Sequence, residues 1–304
     1  MSSQTAPRKK ITTLTFRERK EHGEPITVLT AYDYATALAA DHAGIDCLLV
    51  GDSLGMVVLG YENTLAVTMD DMLHHAKAVA RGAKTPLLIG DMPFMSYQVS
   101  TQEAIRNAGR FLSEANMDAI KLEGGREIAA TAEAIVNVGI PVMGHIGLTP
   151  QSVHKLGGYK AQGRTATAAR RLIEDALTLQ DAGCFAIVLE AVPDKVAELI
   201  SRKLTIPTIG IGAGAGCDGQ VLVSHDLLGI FDRFTPKFVK KYANFHGEML
   251  RAFTEYKNEV IAHQFPTHEH TYSMPDEEWD ELVREFEERS QGSEVRGQKS
   301  EVGV

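Results

Sequence analysis

What this sequence lacks narrows it first. No apolar run approaches the roughly 18 residues that a bilayer-spanning helix needs, so no membrane span is expected. No stripe of lysine and arginine runs along any segment, which removes nucleic acid as an expected partner. Cysteine is scarce: Cys47, Cys184 and Cys217 are odd in number and far apart. That spacing makes neither a zinc motif nor a disulfide framework, and buried neutral thiols in a reducing compartment are expected. A charged-then-apolar leader is missing, so no secretory signal is expected and the expected location is cytoplasmic. Positive charge is short as well, with 31 Lys and Arg against 40 Asp and Glu and a net charge of −9. Ten of those acids but only four of the bases lie from Asp276 onward, so the acidity belongs to a tail and the body is nearly neutral.

What is present is an alternation. At 304 residues and 44% hydrophobic, the chain can bury a large core. Strand-like runs are expected at 26–32, 47–53, 86–92, 119–125, 141–147, 186–192, 207–214 and 221–227. Most are continuously apolar rather than alternating, as a parallel sheet covered by helices requires. Amphipathic segments are expected between them at 34–43, 68–81, 101–115, 127–138, 165–182 and 194–202. Ser100 with Glu103 reads as a capping box, and Gly139 and Gly183 stand where helices should end. "TFRERKEHGE" ahead of the first strand reads as a short helix closing the bottom of a barrel. Eight strands, mostly each with a helix, in this length point to a closed (β/α)₈ TIM barrel. A doubly wound open sheet is the rival, disfavoured because no phosphate-binding fingerprint opens the chain. The expected organisation is a disordered arm at 1–10, the barrel at 11–265, and an acidic C-terminal extension at 266–304, partly helical and partly disordered. From Pro236 a helix is expected to about His263, and order is expected to end near Gln291. Trp279, Leu282, Val283 and Phe286 form one apolar stripe on a short acidic helix in that extension.

Four acids end four of these strands: Asp52 in "LLVGDS", Asp91 in "LLIGDM", Glu123 in "IKLEGG" and Glu190 in "IVLEAV". A lone acid in such a place is a helix cap or a loop ion pair. Four on one barrel would converge at the mouth where active sites form. Bare carboxylates brought together repel one another, so a cation is expected among them. A hard divalent ion such as Mg²⁺ suits oxygen ligands, and no His/Cys cluster argues for zinc. Lys121 shares a strand face with Glu123 and could hold a substrate carboxylate or pair with a neighbouring acid. Ser53 could bind the same substrate or cap the turn. His145 ends strand five, but its residue context gives it no role, and the same holds for His74, His75, His154 and His225. "IGIGAGAGCDG" comes late in the chain rather than opening a first βα unit, so its glycines read as a flat wall or phosphate cup rather than a dinucleotide fingerprint. "GLTPQSVHKLGGYKAQGR" is a long loop of the sort that covers a site.

Ten blocks then occur in order between about residues 11 and 272: "TAYDY", "LLVGDSLGM", "LLIGDMPFMSY", "IKLEGG", "GHIGLTPQSV", "GGYKAQGR", "VLEAVP", "IPTIGIGAG", "DGQVLVSHDLLG" and "PKFVKKY". Together they resemble the ketopantoate hydroxymethyltransferase family. The resemblance implies a barrel of the phosphoenolpyruvate mutase/isocitrate lyase type. The implied enzyme passes a one-carbon unit from 5,10-methylenetetrahydrofolate to α-ketoisovalerate, with one Mg²⁺ per subunit, in pantothenate biosynthesis. It implies Asp52, Asp91 and Glu123 as metal ligands, Glu123 directly or through water. Asp52, Ser53, Asp91 and Lys121 would bind the keto acid, and Glu190 would be the catalytic base. It also implies a homo-oligomer, commonly a decamer. The departures are the N-terminal arm and the extension after about Tyr272. Two rivals stand beside it: a Mg²⁺-dependent C–C lyase, disfavoured because Cys184 and Cys217 sit in no suitable motif, and a non-catalytic binding barrel.

Overall fold

The computed structural model describes residues 8–298, with side chains to residue 288; residues 1–7 of the expected arm and 299–304 of the tail lie outside it. Arg8 donates to the Asp41 carbonyl at 3.1 Å, and Lys10 pairs with Asp118 at 2.6 Å.

Along the chain the elements run α1 (Thr13–His22), β1 (Ile26–Thr30), α2 (Tyr34–His42), β2 (Cys47–Val50), α3 (Leu54–Val57), α4 (Met69–Gly82), β3 (Leu87–Asp91), α5 (Thr101–Ala115), β4 (Ala119–Glu123), α6 (Ala129–Asn137) and β5 (Val142–Gly147). They continue with α7 (Val153–Leu156), α8 (Ala166–Asp181), β6 (Ala186–Glu190), α9 (Asp194–Lys203), β7 (Thr208–Ile211), β8 (Gly219–Leu222), α10 (Ser224–Leu227), α11 (Phe245–Ile261) and α12 (Asp276–Gln298). All eight strands are parallel, pair in sequence order and close β8 onto β1. This is the (β/α)₈ barrel that strand count and length predicted.

The continuous apolar runs are explained by two cores, one on each face of the sheet. Inward-facing Ile26, Val28, Cys47, Leu49, Leu87, Ile89, Ala119, Met143, Ala186 and Val188 fill the barrel. Outward-facing Leu48, Val50, Leu88, Ile120, Leu122 and Ile187 pack beneath the helices. Strands buried on both faces have no place for polar alternation. At β3 the fit is tight: a Cβ on Gly90 would lie 2.3 Å from the ring of Phe111, which α5 presses against the strand. α5 starts at Ser100, whose hydroxyl accepts from the Glu103 amide; only this half of the expected capping box forms.

The helix α1 takes up the position expected of it. Phe16 is fully buried in the inner core and meets Phe185 edge-on at 5.9 Å. Burying such a ring contributes about 1.5–3 kcal/mol. Arg19 pairs with Asp46 at 2.7 Å and Lys20 with Asp218 at 2.8 Å, acids that lie just ahead of β2 and β8. The N-terminal end of the barrel is thereby shut.

Two expectations shift. The eighth strand lies at Gly219–Leu222, earlier than 221–227, because the Thr30 hydroxyl captures the Ser224 amide at 2.9 Å and starts α10 there. The expected helix from Pro236 begins only at Phe245. The amides of Tyr242, Phe245 and His246 donate instead to the carbonyls of Leu227, Leu228 and Gly229, tying this stretch to the β8 side of the barrel. The chain forms two compact units, Met1–His246 and Gly247–Val304, and most of α11 lies in the second. In the second unit Arg251 bridges Glu248 and Glu255 along α11, and the backbone of α12 runs to Gln298, past the Gln291 where composition suggested that order ends.

Candidate active site

The same two-residue period that stacks the inner core carries chemistry upward. Above Leu87 and Ile89 on β3 comes Asp91; above Ala119 on β4 come Lys121 and Glu123. Above Met143 on β5 comes His145; above Ala186 and Val188 on β6 comes Glu190. Strand register sets Asp91 beside Lys121 and Glu123 beside His145. Asp52 and Ser53 join from the turn after β2, where Gly51 leaves room: a Cβ there would lie 2.9 Å from the Ser53 hydroxyl. All of these residues line one cavity of about 840 Å³ at the C-terminal mouth.

Within it the charges are ordered around Lys121. Its ammonium lies 2.7 Å from Asp91 Oδ1, 3.6 Å from Glu123 Oε1 and 3.3 Å from His145 Nδ1. Burial opposes its charge, but the surrounding carboxylates of Asp91, Glu123 and Asp52 outweigh burial and hold its pKa above the ordinary lysine value. Glu123 is held below its ordinary value: burial works against ionisation, yet Lys121, His145 and the Gln151 amide at 3.0 Å prevail. Asp52 goes the other way. Burial first, then the charges of Asp91 and Glu123, push it well above the carboxylate range. Asp91 is also raised, by burial, against the pull of Lys121. The Asp52 amide donates to Asp91 Oδ2 at 3.1 Å, so the two acids are neighbours.

Between Glu123 and Glu190 stands His145, with Nδ1 3.5 Å from Glu123 Oε1 and Nε2 3.3 Å from Glu190 Oε2. Burial and Lys121 push its pKa down, but the two glutamates win and raise it to about 9. Glu190 is the most exposed of the three, at 16% of its side chain, and faces the cavity.

Every acid read from the sequence thus reaches the mouth, but the expected metal set divides. Among the described residues, no three His, Cys, Asp or Glu side chains stand together in a way that could hold an ion. Glu123 is turned to Lys121, His145 and Gln151, whereas Asp52 and Asp91 stand side by side. Asp52 and Asp91 do fit a hard cation: they are two adjacent buried carboxylates whose ionisation is opposed by burial and whose oxygens suit such an ion.

Sequence reasoning missed the groups that hold this tier in place. Gln151 donates to Asp52 Oδ2 and to the Met92 carbonyl, both at 3.0 Å, while its own carbonyl lies 2.7 Å from the Tyr97 hydroxyl. Tyr97 also meets the Glu123 backbone, and Tyr32 bonds Ser53 at 2.9 Å. The available signal was the long loop after β5, which places Gln151 over the acids and Tyr159 at the cavity wall.

Residues 10–268 match the family described as ketopantoate hydroxymethyltransferase. A protein of Syntrophus aciditrophicus named 3-methyl-2-oxobutanoate hydroxymethyltransferase is 58% identical over 272 residues, covering 90% of this chain and all of the relative. Among solved structures, 2,3-dimethylmalate lyase, described as a PEP mutase/isocitrate lyase superfamily member, aligns over 92% of this chain and 98% of its own with a TM-score of 0.55 and 17% identity. Phosphonopyruvate hydrolase in complex with oxalate and Mg²⁺ aligns over 94% and 99% with a TM-score of 0.54 and 13% identity. Both share the fold of this chain.

Proposed function

The chain belongs to the ketopantoate hydroxymethyltransferase family, and from that premise we propose that it transfers the one-carbon unit of 5,10-methylenetetrahydrofolate to α-ketoisovalerate, giving ketopantoate. The observation that carries the reading is the tier of Asp52, Asp91, Lys121, Glu123, His145 and Glu190 in one cavity at the barrel mouth. Asp52 and Asp91 are the proposed ligands of one Mg²⁺ per subunit, with Glu123 acting through water. Mg²⁺, when bound, supplies a Lewis acid for the oxygens of the keto acid and eases loss of the C3 proton. Oxalate and Mg²⁺ in the phosphonopyruvate hydrolase neighbour are in keeping with this pairing of a dication and a two-oxygen ligand.

The residues of the chain do the rest. Lys121 has three N–H donors; Asp91 engages one at 2.7 Å, and the substrate carboxylate takes another. Ser53, oriented by Tyr32, donates to the same substrate. Glu190 is the base for C3: it faces the cavity and stands apart from the Asp52–Asp91 pair. His145 holds its carboxylate from behind. The enolate formed by proton loss attacks the methylene carbon, and one water is consumed overall to give the new CH₂OH group and tetrahydrofolate. Leu250, Phe253 and Ile261, exposed on α11, support assembly of several copies, and a homodecamer is the proposed form. No helix among the described residues is long and apolar enough to cross a membrane. A cytoplasmic location and a place in coenzyme A biosynthesis complete the reading.

Incubation with α-ketoisovalerate, 5,10-methylenetetrahydrofolate and Mg²⁺ should yield ketopantoate by mass spectrometry. Absence of product there, and with formaldehyde as donor, would overturn the assignment.

A further inference from the structure

Each of the other buried acids of the barrel has a donor or a cation at hydrogen-bond distance. Asp46 has Arg19 and Thr27; Asp52 has Gln151; Asp91 has Lys121; Glu123 has the Gln151 amide; Asp175 has Arg126. Asp226 is the exception. It is 8% exposed, it lines the cavity, and among the described residues no group donates to its carboxylate. Burial raises its pKa to about 6 against the weaker pull of Lys241. A buried carboxylate without a donor is unfavourable until something supplies one.

The surroundings say what that something is. Asp226 sits on α10, which is joined to the acid tier through β1: the Ser224 amide donates to Thr30 Oγ1, and the Tyr32 ring that holds Ser53 lies 5.2 Å from the ring of His225. Tyr32 feels the charges of both Asp226 and Asp52. On the β7 side Gly212 and Gly214, with φ of +63° and +80°, line the cavity, and the Phe238 ring packs so closely on Gly212 that a Cβ there would lie 2.7 Å from it. Phe231 and Phe238 line the same cavity. Aromatic faces and flat backbone suit a planar heterocycle. A carboxylate in the same cavity suits a ring edge that presents two parallel N–H groups, since its two oxygens accept side by side.

We propose that Asp226 recognises the one-carbon donor by accepting hydrogen bonds from the ring N–H and the 2-amino group of its pterin. This rests on the reading of the donor as a folate. Asp226 is then a specificity-determining residue for the second substrate, distinct from the acids that serve the keto acid. Lys237 and Arg164, which line the cavity too, suit the carboxylate tail of the same molecule.

The test is titration calorimetry of the full chain with tetrahydrofolate in the presence of Mg²⁺ and α-ketoisovalerate. Asp226→Asn removes the charge and keeps only one acceptor oxygen, so tetrahydrofolate binding should weaken about 10- to 150-fold. Binding of α-ketoisovalerate should stay within about threefold of the parent. Asp226→Glu, which keeps both acceptor oxygens on a longer arm, should lose roughly fivefold. A tetrahydrofolate analogue lacking the 2-amino group should bind the parent more weakly than tetrahydrofolate does, and should bind Asp226→Asn no differently from it. Equal tetrahydrofolate affinity in the parent and either variant overturns the inference, as does an equal loss of keto-acid binding. Failure of the parent itself to bind tetrahydrofolate overturns the folate reading and the role of Asp226 with it.

Discussion

Replacing Lys121 with methionine tests whether one buried ammonium holds the carboxylate tier together. The substitution keeps the length of the side chain and removes the charge 2.7 Å from Asp91 and 3.6 Å from Glu123. Removing one partner of a buried ion pair costs about 3–5 kcal/mol, because the remaining charges stay behind without compensation. Here three carboxylates remain, two of them already pushed above their ordinary pKa. In a domain of this size each kcal/mol moves the melting temperature by roughly 2–4 °C, so Lys121→Met in chelator should melt about 6–20 °C lower than the parent. A dication can replace the missing charge. Differential scanning calorimetry with increasing Mg²⁺ should therefore raise the melting temperature of the variant more than that of the parent, and the gap should narrow. Equal melting temperatures in chelator would show that Lys121 does not balance the tier. Equal rises with Mg²⁺ would show that no cation enters among these acids.

Glu190→Gln should retain binding of α-ketoisovalerate while slowing deuterium exchange at C3 by at least about 100-fold; NMR of the keto acid in D₂O measures it, and exchange at the parent rate sinks the base assignment. Gly90→Ala should destabilise the barrel by about 1–3 kcal/mol, since its new methyl would lie 2.3 Å from the buried Phe111 ring; urea denaturation reads this, and an unchanged midpoint refutes the close approach. Asp226 binds its proton more tightly folded than unfolded, with a folded pKa of about 6, so its stabilising effect is complete below about pH 4 and fades as pH rises through 6. Asp226→Asn should thus be more stable than the parent at pH 7.5, by about 1–2 kcal/mol after allowing for solvent screening, and should converge with it near pH 4; thermal melts across that range check the sign.

The sequence carried the strands because burial on both faces leaves no alternative to continuous apolar runs. It carried Asp91, Lys121, Glu123 and Glu190 because a two-residue period fixes which side of the sheet a side chain takes. What depends on long-range backbone bonds was not legible. β8 stops early because Thr30, far away in sequence, captures the Ser224 amide. The stretch after Pro236 is not helical because its later amides find the carbonyls of Leu227, Leu228 and Gly229. Gln151 was invisible for a related reason: a glutamine in a polar loop carries no mark that it will fold back between Asp52 and Tyr97. Spacing alone also left open whether Glu123 would meet a metal directly or through water, because it cannot show that Glu123 turns toward Lys121 and His145.

The small ring of Phe16 has a kinetic consequence. With that residue closing the floor, the cavity described here lies at the acid end of the barrel. A keto acid resting on the tier lies beneath any donor that covers it. On the proposed reaction, the order of release should be tetrahydrofolate before ketopantoate, and product inhibition patterns would read it.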